Sequence, residues 1–272
     1  MTRAVETGEA TRRSFEGAGQ ASRLVVFAAD SSASREAEDL ALRLGVDVVF
    51  DEASARAADL HLRMDVDGLS LASGDLSMRG DFSRMLPRLK PGRLHQELLV
   101  RAAKLKKRDG AGNAPVAVDA TAGLGEDSLL LAAAGFEVLL VEYNAVIAAL
   151  LRDALRRAAD DLALSDAVSR MRLVEGDSVH VLGELAAAPD VVLLDPMFPV
   201  RTKSAAVKKK FQLLHLIEQP CADEDSLLRA AIAAHPRKII VKRPPKGPYL
   251  ADVKPAYSLA GKAVRYDVIV SA

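Results

Sequence analysis

The fold class is indicated most clearly by VAVDATAGLGEDSLLLAAAGFEVLLVEY, residues 116–143. Its short apolar run ending in Asp119 predicts a buried strand, a glycine-containing turn follows, and an apolar helix then extends through Ala134. EVLLVEY (137–143) predicts the next strand. A strand, a helix and a second strand in this order are typical of parallel strands joined by a right-handed crossover.

The same alternation continues toward the C-terminus. Strands are predicted at 171–177, 190–195 and 237–244, and helices at 145–161, around 204–217 and at 224–235. Residues 257–271 predict a hairpin that turns at Gly261-Lys262. We therefore predict an α/β fold, with a doubly wound, mostly parallel sheet and a C-terminal antiparallel hairpin in one domain spanning 116–272.

The N-terminal part is organised differently. Residues 1–22 are polar, contain no apolar core of a signal peptide, and predict a loose tail. A small α/β subdomain is predicted at 23–77, from strands at 23–30 and 46–50, a helix at 34–45 ending at Gly45, and a hairpin around Asp67-Gly68. A basic helical connector follows at 78–115, with its clearest helix at 93–107.

Composition excludes several classes of protein. The chain has 272 residues, half of them apolar, and 37 basic residues balance 37 acidic ones. Cys221 is the single cysteine, so no disulfide framework is expected, and the five histidines are too dispersed to predict a metal site. The longest apolar stretch is interrupted by Gly135 and Glu137, so we expect no membrane span and a cytoplasmic location.

The zero net charge conceals two basic segments. Residues 78–108 carry ten Lys or Arg against two acidic residues, and residues 200–246 carry eleven against four. Segments of this kind are typical of a basic face that binds nucleic acid, although lysines scattered over solvated helix surfaces explain either segment equally well.

Acidic residues recur where the predicted parallel strands end. Four of the five such strands end in or just beyond an acid, at Asp119, Glu142, Asp177 and Asp195. Ligands bind outside the carboxyl ends of the strands in sheets of this type. We therefore expect a ligand site at this edge of the sheet.

The turn after Asp119 favours one class of cofactor over another. Gly123 and Gly125 allow the backbone to approach a ligand closely, although a packing turn would also use them. A dinucleotide fingerprint requires a glycine at the position of Ser128, and Glu126 and Asp127 at the helix start would repel a pyrophosphate. Acidic groups suit an ammonium or a sulfonium, which favours S-adenosylmethionine over NAD.

Two other strand ends are expected to complete the cofactor site. Glu142 can accept hydrogen bonds from both ribose hydroxyls, with a solvated turn residue as the alternative. Asp177 can accept from an adenine amino group, with Ser178 beside it. An Asp-Ser pair is an equally good N-cap of a helix, so both interpretations of this pair stay open.

The fourth strand runs into VVLLDPMFPV, residues 191–200. DPMFP resembles the Asp/Asn-Pro-Pro-aromatic motif of methyltransferases that act on exocyclic amino groups of bases. The Asp195 carboxylate and the Pro196 carbonyl would accept hydrogen bonds from the amino group, and Phe198 would stack on the base. The alternative is a strand that ends in an acidic, proline-stiffened turn.

Together these motifs resemble the bacterial small-subunit ribosomal RNA methyltransferase J family, guanine-N2 methyltransferases of 16S rRNA. The resemblance rests on residues 118–155 and on LLDPMFP, KSAAVKKK and VKRP, with weaker similarity at LHLRM and in the connector. It implies a class I methyltransferase fold, with 116–272 as the catalytic domain, and S-adenosylmethionine bound by three residue pairs and Asp195. The pairs are Glu126-Asp127, Glu142-Tyr143 and Asp177-Ser178.

Some positions depart from the family pattern. Glu126 and Tyr143 stand where arginine is expected, and LKPGRL (89–94, including Lys90-Pro91-Gly92-Arg93) replaces a glycine-rich stretch.

The residues expected to contact RNA are Arg93, Lys203, Lys208, Lys209, Lys210, Lys242 and Arg243. Two alternative functions are amino methylation of adenine or of another nucleic acid, and RNA binding without catalysis.

Overall fold

The computed structural model describes residues 23–105, 114–196, 213, 217 and 223–270. The predicted tail at 1–22 and most of the predicted helix at 204–217 lie outside these residues. The described chain separates into two compact units. Residues 23–81, 144–157, 213 and 217 belong to the first unit, and residues 82–105, 114–143, 158–196 and 223–270 belong to the second. This division differs from the predicted one, because residues 82–105 of the connector belong to the second unit and residues 144–157 to the first.

The first unit is built on a five-stranded sheet with the order β2-β1-β3-β4-β5. Its strands are β1 (Leu24–Ala28), β2 (Asp47–Val49), β3 (Leu60–Asp65), β4 (Gly68–Ser73) and β5 (Leu76–Arg79), and its helices α1 (Ser34–Leu44) and α2 (Glu52–Arg56). The predicted hairpin forms between β3 and β4, and α1 ends at Gly45 in the left-handed region (φ 67°). Strand β5 and helix α2 were not predicted from the sequence.

The second unit is built on a seven-stranded sheet with the order β11-β12-β10-β9-β6-β7-β8. Its strands are β6 (Val116–Asp119), β7 (Glu137–Glu142), β8 (Met171–Glu175), β9 (Val191–Leu194), β10 (Lys238–Arg243), β11 (Tyr257–Ala260) and β12 (Arg265–Val270). Strands β6 to β10 pair in parallel, and β11 and β12 pair antiparallel. The predicted α/β architecture and the C-terminal hairpin are confirmed.

The remaining helices occupy the connections. They are α3 (Leu86–Leu89), α4 (Pro91–Leu94), α5 (Leu98–Ala103), α6 (Glu126–Ala133), α7 (Ala145–Ala159), α8 (Ser165–Val168), α9 (Ser178–Gly183) and α10 (Glu224–Ala233). Apolar residues of β6, β9 and β10 form a buried core with α9 and α10.

The predicted helix at 93–107 is wrong. The chain forms two short helices, because α4 ends at Leu94 and α5 begins at Leu98. Between them, Glu97 adopts an extended conformation (ψ 130°) and its carboxylate accepts two hydrogen bonds, of 2.9 and 2.7 Å, from the Arg88 guanidinium. The Lys238 ammonium then donates to the carbonyls of Ala102 and Lys104 at the end of α5. Tertiary contacts thus override the helical periodicity of this segment.

The topological switch point lies between β6 and β9. From β6 the chain proceeds through β7 to β8 on one side, and β9 and β10 lie on the other side. Asp119 is the last residue of β6, and Asp195 directly follows β9. Because ligands bind where the strand order reverses, these two acids are positioned at the expected crevice.

Candidate active site

The glycine turn after β6 leaves space for a ligand. Gly123 (φ 52°) and Gly125 (φ 76°) both adopt the left-handed region, which disfavours side chains. A Cβ atom added at Gly123 would meet nothing within 4 Å, so this glycine borders open space. Gly125 is the N-cap of α6, whose first turn contains Glu126 and Asp127. The turn therefore combines an accessible backbone with two acidic side chains.

Glu142 is held against this turn. Its Oε2 accepts a hydrogen bond of 2.8 Å from the Gly123 amide, and its side chain is largely buried at the end of β7. This contact orients the carboxylate toward the turn. This hydrogen bond between Gly123 and Glu142 was not predicted from the sequence.

Asp119 supports the turn from inside the protein. Its side chain is 2% exposed, its Oδ2 accepts from the Ser128 hydroxyl at 2.6 Å, and its Oδ1 accepts from the Thr121 amide at 3.2 Å. Burial raises the pKa of Asp119 to about 7, against the opposing effect of the Ser128 hydrogen bond. Ser128, noted in the sequence only for breaking a dinucleotide fingerprint, is thus the buried partner of Asp119.

Asp177 forms the N-cap of α9. Its Oδ1 accepts from the amides of Val179 (2.7 Å) and His180 (3.4 Å), and the Ser178 hydroxyl donates to the Ala120 carbonyl. The capping interpretation is therefore realised, and the adenine role stays a prediction. A groove of about 540 Å³ lies beside this cap, lined by Asp177, Val179, His180, Gly183 and Glu184.

Asp195 is fixed at the end of β9 by its backbone and by its side chain. Its amide donates to the Thr121 hydroxyl at 2.6 Å, which joins it to the turn after β6. Its carboxylate Oδ2 lies 2.8 Å from the Lys242 ammonium, and the side chain is 40% exposed. Pro196 is buried. An oriented, partly exposed carboxylate is therefore present at the switch point.

Lys242 connects two of the predicted site residues. β9 and β10 pair in parallel, and the pair Val241–Leu194 is followed in register by Lys242 and Asp195. The Lys242 ammonium also lies 2.7 Å from Asp127 Oδ2. Burial alone would lower the pKa of Lys242, but the two carboxylates outweigh it and raise the pKa above its usual range. Burial likewise raises the pKa of Asp195, and Lys242 opposes that effect.

The structure corrects two predicted RNA contacts. Lys242 faces the carboxylates of Asp127 and Asp195, so its charge is already paired inside the site. Arg243 is 1% exposed and pairs with Glu224 at 3.2 Å, so its guanidinium is not accessible to a phosphate. Successive side chains of a strand point to opposite faces of the sheet, which explains why these neighbours meet different helices.

The other predicted site residues fall into two groups. Arg93 is exposed on α4, and Tyr143 is exposed next to Glu142. Phe198, Lys203, Lys208, Lys209 and Lys210 lie outside the described residues. Their predicted roles in stacking and RNA binding stay predictions.

The described residues contain neither a group of side chains arranged to bind a metal nor a helix that could span a membrane. Within 23–105, 114–196, 213, 217 and 223–270, no group of three or more His, Cys, Asp or Glu side chains is arranged to hold a metal ion. None of the helices in that part of the chain is both long and apolar enough to cross a membrane.

Comparison with protein families matches residues 47–271 to the family described as "Putative SAM-dependent methyltransferase". Curated proteins named "Ribosomal RNA small subunit methyltransferase J" are similar to the chain. The protein from Pseudomonas savastanoi pv. phaseolicola is 44% identical over 158 residues, which cover 58% of this chain and 59% of that protein. The protein from Pseudomonas aeruginosa strain UCBPP-PA14 is 47% identical over 161 residues, which cover 58% and 60%. The similarity therefore spans about three fifths of these relatives' length.

A solved structure matches nearly the whole chain. The crystal structure of a SAM-dependent methyltransferase from Neisseria gonorrhoeae superposes with a TM-score of 0.69 and 27% sequence identity. The match covers 90% of this chain and 96% of that one. It confirms the class I methyltransferase fold expected from the sequence.

Proposed function

The chain belongs to the family of S-adenosylmethionine-dependent methyltransferases that matches residues 47–271, and from this membership we propose that it methylates the exocyclic N2 of a guanine in small-subunit ribosomal RNA. The relatives named as ribosomal RNA small subunit methyltransferase J support the choice of substrate. The observation that carries the proposal is the Asp195 carboxylate, oriented at the switch point by Thr121 and Lys242.

The residues around the turn fit the cofactor. When bound, S-adenosylmethionine supplies a methyl group on a positively charged sulfur, which an amino nitrogen can attack. The open space at Gly123 accommodates a close approach, and the nearby acids favour the sulfonium and the ammonium. Glu142, held by the Gly123 amide, is the acceptor proposed for the ribose hydroxyls, and the groove beside Asp177 is proposed for the adenine.

Asp195 and Pro196 are proposed to hold the acceptor base. The carboxylate of Asp195 and the carbonyl of Pro196 would accept hydrogen bonds from the amino group, directing its lone pair at the methyl carbon. The nitrogen develops positive charge as it attacks, and a fixed carboxylate stabilises that charge. The methylated nitrogen then releases one proton to solvent. Phe198 is proposed to stack on the base.

Lys242 is proposed to position the carboxylate of Asp195. Its ammonium contacts Oδ2 of Asp195 and is also paired with Asp127 at the start of α6. It also favours the ionised form of Asp195, because a nearby cation opposes the rise in pKa that burial causes. This role replaces the phosphate contact that the sequence suggested for Lys242.

RNA binding is proposed for Arg93, Lys203, Lys208, Lys209 and Lys210. Arg93 is exposed on α4, in the connector, and the lysines follow the proposed catalytic motif in the sequence. A cytoplasmic location belongs to the same proposal, because that is where bacterial ribosomal RNA is made.

The test is methyl transfer from labelled S-adenosylmethionine to small-subunit rRNA taken from cells that lack this protein. Digestion of the product should yield N2-methylguanosine at one position. Methyladenosine would instead indicate an adenine-specific enzyme. Tight RNA binding without any transfer, in a protein that binds the cofactor, would contradict the catalytic proposal.

A further inference from the structure

The loop after β10 begins at the edge of the sheet that carries the proposed acceptor site. β10 ends at Arg243, and residues 244–252 leave the sheet at the same carboxyl edge as Asp195 on neighbouring β9. Pro244, Pro245 and Pro248 restrict the backbone of this loop. A stiff segment that starts at the same edge of the sheet as the acceptor carboxylate can contact the RNA strand that carries the target base.

Arg265 holds this loop in one conformation. Its guanidinium donates to the carbonyls of Pro245 (3.0 Å) and Gly247 (3.1 Å). The same group makes two hydrogen bonds of 2.8 Å to Asp267, which is buried and also accepts from the Ser258 hydroxyl. Because Arg265 is anchored on β12, the loop is fixed relative to the sheet.

The far end of the loop is also anchored. Leu250 is buried in the core, and the next two residues, Ala251 (φ 47°) and Asp252 (φ 55°), both adopt the left-handed region. Non-glycine residues rarely adopt this conformation unless the surrounding structure requires it, and such residues cluster at functional sites. The backbone thus places Tyr249 between two fixed points.

Tyr249 presents an aromatic surface at this edge. Its side chain is 40% exposed, and the Arg265 guanidinium lies 5.1 Å from the ring centroid. The cation restricts the ring, which reduces the conformational entropy lost when a second group stacks on it. Lys246 and Lys254 are exposed on either side of Tyr249 in the sequence, against one exposed acid nearby, Asp252.

We propose that the loop 244–252 is a recognition surface for single-stranded RNA, on which Tyr249 stacks a nucleotide next to the target guanine. Stacking on an aromatic ring flanked by basic residues is how proteins commonly hold unpaired bases. This inference rests on the proposed function, because it assigns part of the substrate-binding surface of the same site.

Tyr257 provides a matched control. It is also 40% exposed, and it also lies near a cation, with the Lys238 ammonium 5.8 Å from its ring centroid. The two tyrosines differ in position. Lys238 begins β10, whereas Arg265 pairs with Arg243 at the end of that strand. Tyr257 therefore reports on the opposite edge of the sheet, where no RNA contact is proposed.

The first experiment uses fluorescence. The chain contains no tryptophan, so Tyr249→Trp and Tyr257→Trp each introduce a single tryptophan, which can be excited separately from the tyrosines. A short guanine-containing single-stranded RNA should quench the emission of Tyr249→Trp and leave Tyr257→Trp unchanged. The same strand annealed to its complement should quench less, because its bases are already stacked. Equal quenching of both variants, or equal quenching by the duplex, would overturn the proposal.

The second experiment measures RNA affinity and methyl transfer. Tyr249→Ala should weaken binding of unmethylated small-subunit rRNA by about 5- to 150-fold and raise KM, with unchanged S-adenosylmethionine affinity. Tyr249→Phe should retain binding, and Tyr257→Ala should behave like wild type. Should Tyr249→Ala fail to fold, Tyr249→Leu fills the same space without a stacking face.

The outcomes separate this inference from the proposed function. If the wild-type protein methylates the rRNA and Tyr249→Ala or Tyr249→Leu binds it with wild-type affinity, the recognition surface is wrong and the function stands. If the wild-type protein neither binds nor methylates the rRNA, the proposed function itself fails, and the surface fails with it.

Discussion

The ammonium of Lys242 lies 2.8 Å from the carboxylate of Asp195, the residue that directly follows the neighbouring strand. The same ammonium lies 2.7 Å from Asp127 at the start of α6. One cation thus joins an acid proposed to bind the cofactor to the acid proposed to hold the acceptor. Other charged or titratable groups that influence these three are Asp119, Arg243, Tyr266 and Arg88.

Lys242→Met should shift the acidic limb of the pH–rate profile to higher pH. Asp195 must be ionised to act, and removing the cation leaves the effect of burial unopposed and raises the pKa of Asp195 further, so activity should appear only at higher pH. Lys242→Arg should retain most of the wild-type profile. The measurement is single-turnover methyl transfer across pH, with exposed Lys104→Met as the control. A normal profile combined with a weaker salt dependence of RNA binding would restore the phosphate-contact interpretation.

Asp195→Asn should lower kcat by roughly 10²–10³. The substitution keeps the size and one acceptor oxygen but removes the charge that stabilises the developing cation. Cofactor affinity should stay unchanged, which titration calorimetry can check separately. Methyl transfer at a near wild-type rate by a folded variant would exclude the proposed role of Asp195.

Glu142→Ala should weaken S-adenosylmethionine binding by roughly tenfold or more. The variant loses a charged acceptor for the ribose hydroxyls and also the partner of the Gly123 amide. Glu137→Ala is the matched control, because Glu137 is exposed at the opposite end of the same strand. Equal cofactor affinities of the two variants, measured by calorimetry, would exclude the ribose role.

Asp119→Asn should change how stability depends on pH. Burial raises the pKa of Asp119 from 3.8 to about 7, so the folded protein binds this proton more tightly than the unfolded chain does. The resulting stabilisation is present below about pH 4 and is lost as the pH rises to about 7. Asp119→Asn carries no titrating carboxyl at this position, so its stability does not fall in this pH range. Between about pH 4 and pH 7, its free energy of unfolding should therefore rise relative to that of wild type by up to about 4 kcal/mol. Urea unfolding at several pH values measures this difference, and a constant difference would contradict the assignment.

Neutralising Lys208, Lys209 and Lys210 together should reduce the salt dependence of RNA binding. Each lost phosphate contact lowers the slope of log affinity against log salt by about 0.7 for single strands. Cofactor affinity should remain that of the wild type. An unchanged slope would mean that these lysines form only a solvated surface.

Local patterns predicted most of the fold. The strands of both sheets, apart from β5, followed from short apolar runs, and α1, α6, α7 and α10 followed from helical periodicity and turn residues. The helix predicted at 93–107 failed for a tertiary reason. Glu97 pairs with Arg88 and leaves the helical conformation, and no local pattern contains that contact.

Strand boundaries and turn chemistry are local properties, so the residues at the carboxyl ends of the strands could be located from the amino-acid pattern. How those residues are used depends on tertiary contacts. Lys242 and Arg243 are adjacent and both basic, yet one pairs with Asp195 in the site and the other is buried with Glu224. Strand order and the face on which each side chain lies separate them, and both depend on long-range packing that no short stretch encodes.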